Sequence, residues 1–248
     1  MDQSRFQLTQ GDAVAWLRML PAASVDLVIT DPPYESLEKH RAIGTTTRLK
    51  HSKASSNDWF SIFPNKRFPE LFAEVFRVLK KDTHFYLFCD PETMFVAKPL
   101  AEAAGFKFWK PLIWRKMVLG MGYHYRAFYE CILFFEKGKR KLNDLGIPDV
   151  IDAKRISGGY PAEKPPEVSE VLIKQSTESG ELVIDPFMGS GSVGVAAIRN
   201  RRDFRGNDLC AEALDITRDR LLEAGGREDD AALRAEHGTT SGQLGLTV

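Results

Sequence analysis

The sequence predicts an α/β fold: a mostly parallel, twisted sheet with one antiparallel edge strand and helices on both faces. Three observations carry that prediction. Short β-branched or aromatic runs alternate along the chain with segments whose apolar residues recur at helical spacing. Two of these runs, VDLVIT and ELVIDPF, are apolar on consecutive residues, as a strand buried on both faces must be. Two aromatic-rich runs, FKFWKPLIWRK and YHYRAFYECILFFEKG, follow each other directly and read as an antiparallel pair at a sheet edge.

The elements follow in order. FQLTQGD reads as a strand, AVAWLRMLP as a helix with Val14, Trp16, Leu17 and Leu20 at helical spacing, and VDLVIT as the next strand. Residues 35–60 are polar and aperiodic, and a loop of that length placed after a strand end reads as a lid or contact segment. In FPELFAEVFRVL, residues Leu71, Phe72, Val75, Phe76 and Leu79 share one helical face, and THFYLFCD is a buried strand. PETMFVAKPLAEAAG is a helix ended by Gly105, and the two aromatic strands follow it. Residues 137–160 form a second polar loop broken by Gly and Pro. PPEVSEVLIKQST, GSGSVGVAAIRN and CAEALDITRDRLLEA are helices, separated by the strands ELVIDPF and DFRGNDL. Residues 1–224 are expected to form a single domain, and the charged, Gly- and Thr-rich segment 225–248 a loose tail.

Composition narrows the chemistry. The 248 residues carry 34 basic and 34 acidic side chains, so overall charge neither requires nor excludes a nucleic-acid partner. Cys89, Cys131 and Cys210 are far apart and form no CxxC or Cys/His cluster, which argues against a disulfide framework or a metal site and fits a reducing cytoplasm. The N-terminus has no apolar signal core, and no segment approaches the ~18 continuous apolar residues of a membrane span.

Two strand ends hold candidate sites. Asp31 stands where VDLVIT should emerge at its carboxyl end, the edge at which open α/β sheets bind ligands. Pro32 and Pro33 fix their own φ angles and restrict the preceding residues, so the Asp31 carboxylate, the Pro32 carbonyl and the Tyr34 ring are held with little freedom. In LVIDPFMGSGSVG, a strand and an acid lead into a turn whose Gly189, Gly191 and Gly194 have GxGxxG spacing and open a helix. Asp208, after the next strand, stands where an acid meets ribose hydroxyls, which suggests an adenosine-containing cofactor. NAD is an alternative. Against it, Asp185 precedes the glycines, where an acid repels phosphates but favours an ammonium group.

Taken together, DPPY after one apolar strand and DPFMGSG after another about 150 residues later resemble the S-adenosylmethionine-dependent amino-methyltransferases of DNA. The resemblance is to the permuted class, in which the catalytic motif precedes the cofactor motif, and it spans nearly the whole chain. YPAEKPPEVSEVLI is similar to the family's HPTxKP segment, with Tyr160 and Ala162 in place of His and Thr, and FRGNDL to its second cofactor strand, with Asp208 in place of the usual Glu. The resemblance implies a Rossmann-like class I methyltransferase fold. It also implies a base flipped out of double-stranded DNA, with methyl transfer to its exocyclic amine by direct displacement. Asp31 and the Pro32 carbonyl would accept the amine hydrogens, with Pro33 as part of the rigid turn and Tyr34 stacked on the base. Asp12 would lie near the cofactor adenine, Asp185, Phe187, Gly189, Ser190 and Gly191 near its methionine and ribose, and Lys164 near the methionine carboxylate. Asp31 favours adenine N6 over cytosine N4, and the family often pairs into homodimers.

Phosphate contacts are expected from the basic loops, namely Lys39, Arg41, Arg48, Lys50 and Lys53 in the first and Lys139, Arg140 and Lys141 in the second, the candidate for target recognition. A cytosine-N4 enzyme and a DNA-binding module of the same fold without turnover remain as alternatives.

Overall fold

The computed structural model describes residues 3–36, 61–120, 125–156 and 163–229. The first half runs β1 (Arg5–Gln10), α1 (Ala13–Met19), β2 (Val25–Thr30), α2 (Phe68–Val78), β3 (Leu79–Cys89), α3 (Pro91–Ala103), β4 (Lys107–Arg115) and β5 (Tyr129–Lys137). The second runs β6 (Val150–Asp152), α4 (Pro166–Ser176), β7 (Leu182–Asp185), α5 (Ser192–Arg199), β8 (Asp203–Asp208), α6 (Ala211–Glu223) and β9 (Arg227–Glu228). The strands lie side by side in the order β6-β4-β5-β3-β2-β7-β8-β1-β9.

Alternation along the central strands divides the core into two. Phe85, Leu87 and Cys89 of β3 face a cluster built with α1, α2 and α3, while Tyr86 and Phe88 face a second cluster built with α4, α5 and α6. The helix after β2 covers one face and the helix after β7 the other, although β2 and β7 are neighbours paired at Leu27 with Val183 and Val28 with Ile184. The strand order therefore reverses between β2 and β7, and the crevice at their carboxyl ends is the topological switch point. Asp26, buried near the start of β2, fixes this pairing by accepting from the Leu182 N–H at 2.9 Å and from Lys80 Nζ at 2.7 Å.

Three expectations are corrected. One antiparallel strand is present, β5, but it lies inside the sheet between β3 and β4 rather than at the edge. Its run from Cys131 to Glu136 is buried on both faces, whereas β4 carries Lys107, Lys110 and Pro111 and is exposed or half-exposed at every residue but Trp114, as an outer strand can be. Within the expected loop 137–160, residues 150–152 form β6 parallel to β4, with Ile151 and Ala153 buried. The expected tail begins with an ordered strand, β9, beside β1. Both additions are very short and supply partners to otherwise open strand edges. Among the described residues no helix is long and apolar enough to cross a membrane.

Candidate active site

The carboxyl end of β2 delivers Asp31. Pro32 is buried, and the Pro33 carbonyl accepts from the Phe63 N–H at 2.8 Å, so the chain returning at residues 61–64 is tied to the turn. The Glu35 carboxylate accepts from the Asn65 N–H at 2.8 Å and adds a second tie. The Asp31 carboxylate accepts from the Tyr34 hydroxyl on one oxygen and from Lys164 Nζ on the other. Tyr34 is only 9% exposed and packs into the first core cluster, and burial raises its phenol well above the ordinary value. The ring packs among core side chains, with its hydroxyl bonded to Asp31.

Lys164, expected beside the cofactor, lies across three adjacent strand ends. Its Nζ meets Asp31 after β2, lies 5.1 Å from the centre of the Phe88 ring on β3, and is 3.3 Å from a Glu130 oxygen on β5. The other Glu130 oxygen is 2.5 Å from Lys116 Nζ. Burial opposes the charge on both partners. Nevertheless the two lysines hold Glu130 down to about 2, and Asp31 and Glu130 raise Lys164 above the usual lysine value. Glu130 and Lys116 were missed in the sequence. The available signal was an acid at the mouth of the apolar strand YECILFFEK, on the same alternation as Ile132 and hence on the face shared with Phe88.

The neighbouring strand end holds the second group. Asp185 is buried, and one oxygen accepts from the Thr30 hydroxyl at 2.7 Å and from the Phe187 N–H at 3.0 Å. The first of these joins residues 155 positions apart and links the two motifs directly. Thr30, which precedes Asp31, was also missed as a site residue. Gly189 and Gly191 have φ of +50° and +76°, and a Cβ on Gly191 would stand 2.5 Å from Thr217 Cγ2 on α6. A Cβ on Gly194 would stand 2.6 Å from the Phe204 ring, so this glycine permits the close approach of α5 to β8. Asp208 accepts from the Gly189 and Cys210 N–H groups, both at 2.9 Å, and the buried Ser190 offers its carbonyl to Arg220 at 2.6 Å.

At the far side of this turn, Asp12 caps α1 through the Ala15 N–H and receives both guanidinium nitrogens of Arg67 at 2.7 and 2.9 Å. Hydrogen bonding to Arg67 holds its carboxyl below the usual range. Arg67 also lies over the Phe63 ring, which meets Phe187 edge-on at 5.1 Å. Ser192 Oγ and Asn207 Oδ1 are buried without a hydrogen-bond partner at the head of α5 and the end of β8. Two unsatisfied polar atoms beside a glycine turn and three acids suit a polar ligand with ammonium and hydroxyl groups. A dinucleotide pyrophosphate would meet Asp185 and Asp208.

The structure brings Asp12, Asp31, Pro32, Pro33, Tyr34, Lys164, Asp185, Phe187, Gly189, Ser190, Gly191 and Asp208 to one sheet edge. It does not bring Lys139, Arg140 and Lys141 there. They follow the carboxyl end of β5, which is antiparallel, so they emerge at the opposite edge, beside Thr83 at the start of the paired part of β3. Arg140 is bound into the fold, with its carbonyl on His84 and its guanidinium 3.7 Å from Glu181. Lys39, Arg41, Arg48, Lys50 and Lys53 lie outside the described residues.

With this geometry in place, comparison with known proteins gives a consistent answer. Residues 25–157 and 146–219 match the family N6_N4_Mtase, DNA methylase. The chain belongs to the DNA methylase family. The chain is 30% identical over 237 residues to the YubD protein of Escherichia coli (strain K12), named as a methylase, with 92% of this chain and 96% of that protein covered. It is 27% identical to the DNA adenine methyltransferase YhdJ of the same organism, covering 86% of this chain and 82% of YhdJ. Among solved structures, a DNA modification methylase from Thermus thermophilus, TTHA0409, complexed with S-adenosyl-L-methionine, superposes with a TM-score of 0.64. The identity is 21%, with 92% of this chain and 100% of that one covered. The PvuII cytosine-N4-specific DNA methyltransferase gives a TM-score of 0.64 at 17% identity, covering 92% and 95%. These likenesses identify the fold, a Rossmann-like methylase sheet. As a DNA methylase, the protein acts on DNA.

Proposed function

We propose that this methylase transfers a methyl group to adenine N6 in double-stranded DNA, with Asp31 as the residue that receives the amine. S-adenosylmethionine, when bound, supplies an electrophilic methyl group. The single observation that carries the reading is the Thr30–Asp185 hydrogen bond at the β2–β7 switch point, because it seats the DPPY turn next to the glycine turn. Asp185, Ser192, Asn207 and Asp208 would hold the cofactor, and Gly189 and Gly191 would let it approach the backbone.

An exocyclic amine is a poor nucleophile because its lone pair is delocalised into the ring. Accepting its two hydrogens at Asp31 and at the Pro32 carbonyl favours a nitrogen with a directed lone pair. Two prolines keep those acceptors in place, so little reorganisation accompanies charge development. Extrusion of the base from the duplex costs a few kcal/mol and has to be offset by protein contacts. An acid at the head of the motif and the adenine-specific relative favour adenine over cytosine. The family resemblance also supports a homodimer and a cytoplasmic location; sedimentation of the purified chain tests the first.

The test is transfer of labelled methyl from S-adenosylmethionine to DNA, with the modified base identified by mass spectrometry. N6-methyladenine is expected, and N4-methylcytosine alone would reject the base assignment. Asp31→Asn is expected to lower transfer by at least about 100-fold while leaving S-adenosylhomocysteine affinity within a few-fold.

A further inference from the structure

Both oxygens of Asp31 are taken by internal donors, Tyr34 on one and Lys164 on the other. If Asp31 is to receive a target amine, one donor must yield, and Lys164 is the one with somewhere to go. Glu130, 3.3 Å away, is fixed by Lys116 at 2.5 Å and lies on the same sheet face. An ammonium that left Asp31 without a second carboxylate would be stranded, because the Lys164 side chain is only 14% exposed. With Glu130 already within 3.3 Å, Lys164 can give up Asp31 and stay neutralised, beside the Phe88 ring at 5.1 Å.

We propose that Glu130, held in place by Lys116, is a positioning residue that gives Lys164 a second carboxylate and so frees Asp31 to accept the target amine. This rests on the methyl-transfer reading above. Glu130 touches neither base nor cofactor in this scheme and acts only through Lys164. No bond is made or broken; one ion pair is exchanged for another.

The experiment uses the full chain with S-adenosylmethionine and DNA. It compares the unaltered protein with Glu130→Gln, Lys164→Met and the double variant, reading kcat and KM for DNA alongside S-adenosylhomocysteine affinity by calorimetry. Glu130→Gln is expected to lower kcat by roughly 10- to 100-fold with homocysteine-product affinity within twofold. In the Lys164→Met background the same change is expected to alter kcat by less than about twofold, since nothing is left for Glu130 to hold. Glu130→Asp, which keeps the charge, should recover part of the loss. If Glu130→Gln does not fold, Lys116→Met, which leaves Glu130 in place but unpinned, is expected to lower kcat by about 3- to 10-fold. Unchanged kcat in Glu130→Gln, multiplicative losses in the double variant, or a parallel fall in cofactor-product affinity would each overturn the inference while leaving DNA methylation intact. Absence of transfer by the unaltered chain would overturn both.

Discussion

Burial pushes the Asp185 carboxyl up to about 7, with Thr30 and the Phe187 N–H drawing it down and the nearby Asp31 and Asp208 pushing it up again. Between the ordinary value of 3.8 and pH 7, the folded chain holds a proton that the unfolded chain has released, so stability falls as pH rises through that window. Asp185→Asn keeps a carbonyl oxygen for both donors and removes the buried charge. It is expected to be more stable than the native chain at pH 8 by ~1–2 kcal/mol, with a smaller gain at pH 5. It should also bind S-adenosylhomocysteine at least about tenfold more weakly, because the ammonium loses its counter-charge. Calorimetric unfolding at the two pH values checks the first claim, and an equal gain at both would remove its basis. A second residue-scale contrast separates backbone strain from crowding. Gly180 and Gly191 both have positive φ, at +85° and +76°, but a Cβ on Gly180 meets nothing within 4 Å whereas one on Gly191 meets Thr217 at 2.5 Å. Gly180→Ala is expected to cost ~1 kcal/mol from backbone conformation alone, and Gly191→Ala about 2–4 kcal/mol, measured by urea unfolding.

β3 is joined to α4 by polar contacts as well as by packing. His84 Nε2 lies 3.1 Å from the Arg140 carbonyl, which assigns the proton to that nitrogen. Nδ1 then accepts from Ser176 Oγ at 2.8 Å, and the same Oγ accepts from the Tyr86 hydroxyl at 2.8 Å. Ser176→Ala leaves both ring partners unpaired in a buried setting and is expected to cost ~2 kcal/mol. Burial pulls the His84 imidazole below its usual 6.5, so its contribution is whole above that value and is lost as pH falls through it toward the lowered one. A native urea midpoint that falls relative to that of His84→Gln as pH drops from 7 to 5.5 is the expected observation, the Asp185 contribution being common to both chains. Strands and helices with full periods were legible in the sequence, including the helix stop at Gly105, whose φ is +108°. β6 and β9 were not, since runs of three and two residues carry no period and exist only because a neighbouring edge needs partners. The position of β5 was legible in retrospect from Lys and Pro in β4, which mark the outer strand. Asp31 and the glycine turn could be read because each follows an apolar run. Arg67 could not, because only the chain's return after the first loop places it on Asp12.

At the scale of the molecule, charge is divided between the two sheet edges. Arg126, Lys154 and Arg155 are exposed and stand near the carboxyl end of β4, where the Arg155 N–H bonds to the Lys116 carbonyl. Lys139 and Lys141 are exposed at the other edge. Replacing Lys154 or Arg155 by Ala is expected to weaken DNA binding and reduce the slope of log affinity against log salt by about 1 each, whereas Lys139→Ala and Lys141→Ala leave the slope unchanged. Fluorescence anisotropy over a salt series distinguishes these outcomes, and a slope change confined to Lys139 and Lys141 would reverse the assignment. The charge count of the second loop was plain in the sequence, but its edge depended on the direction of one antiparallel strand. The pairing of β2 with β7 carries a final consequence, for biosynthesis. At roughly 5–20 residues per second, a ribosome takes about 8–30 s to travel from Thr30 to Asp185. Throughout that interval β2 emerges without its later neighbour, so the nascent protein has to shelter a sticky ribbon and cannot modify any genome before its last third is made.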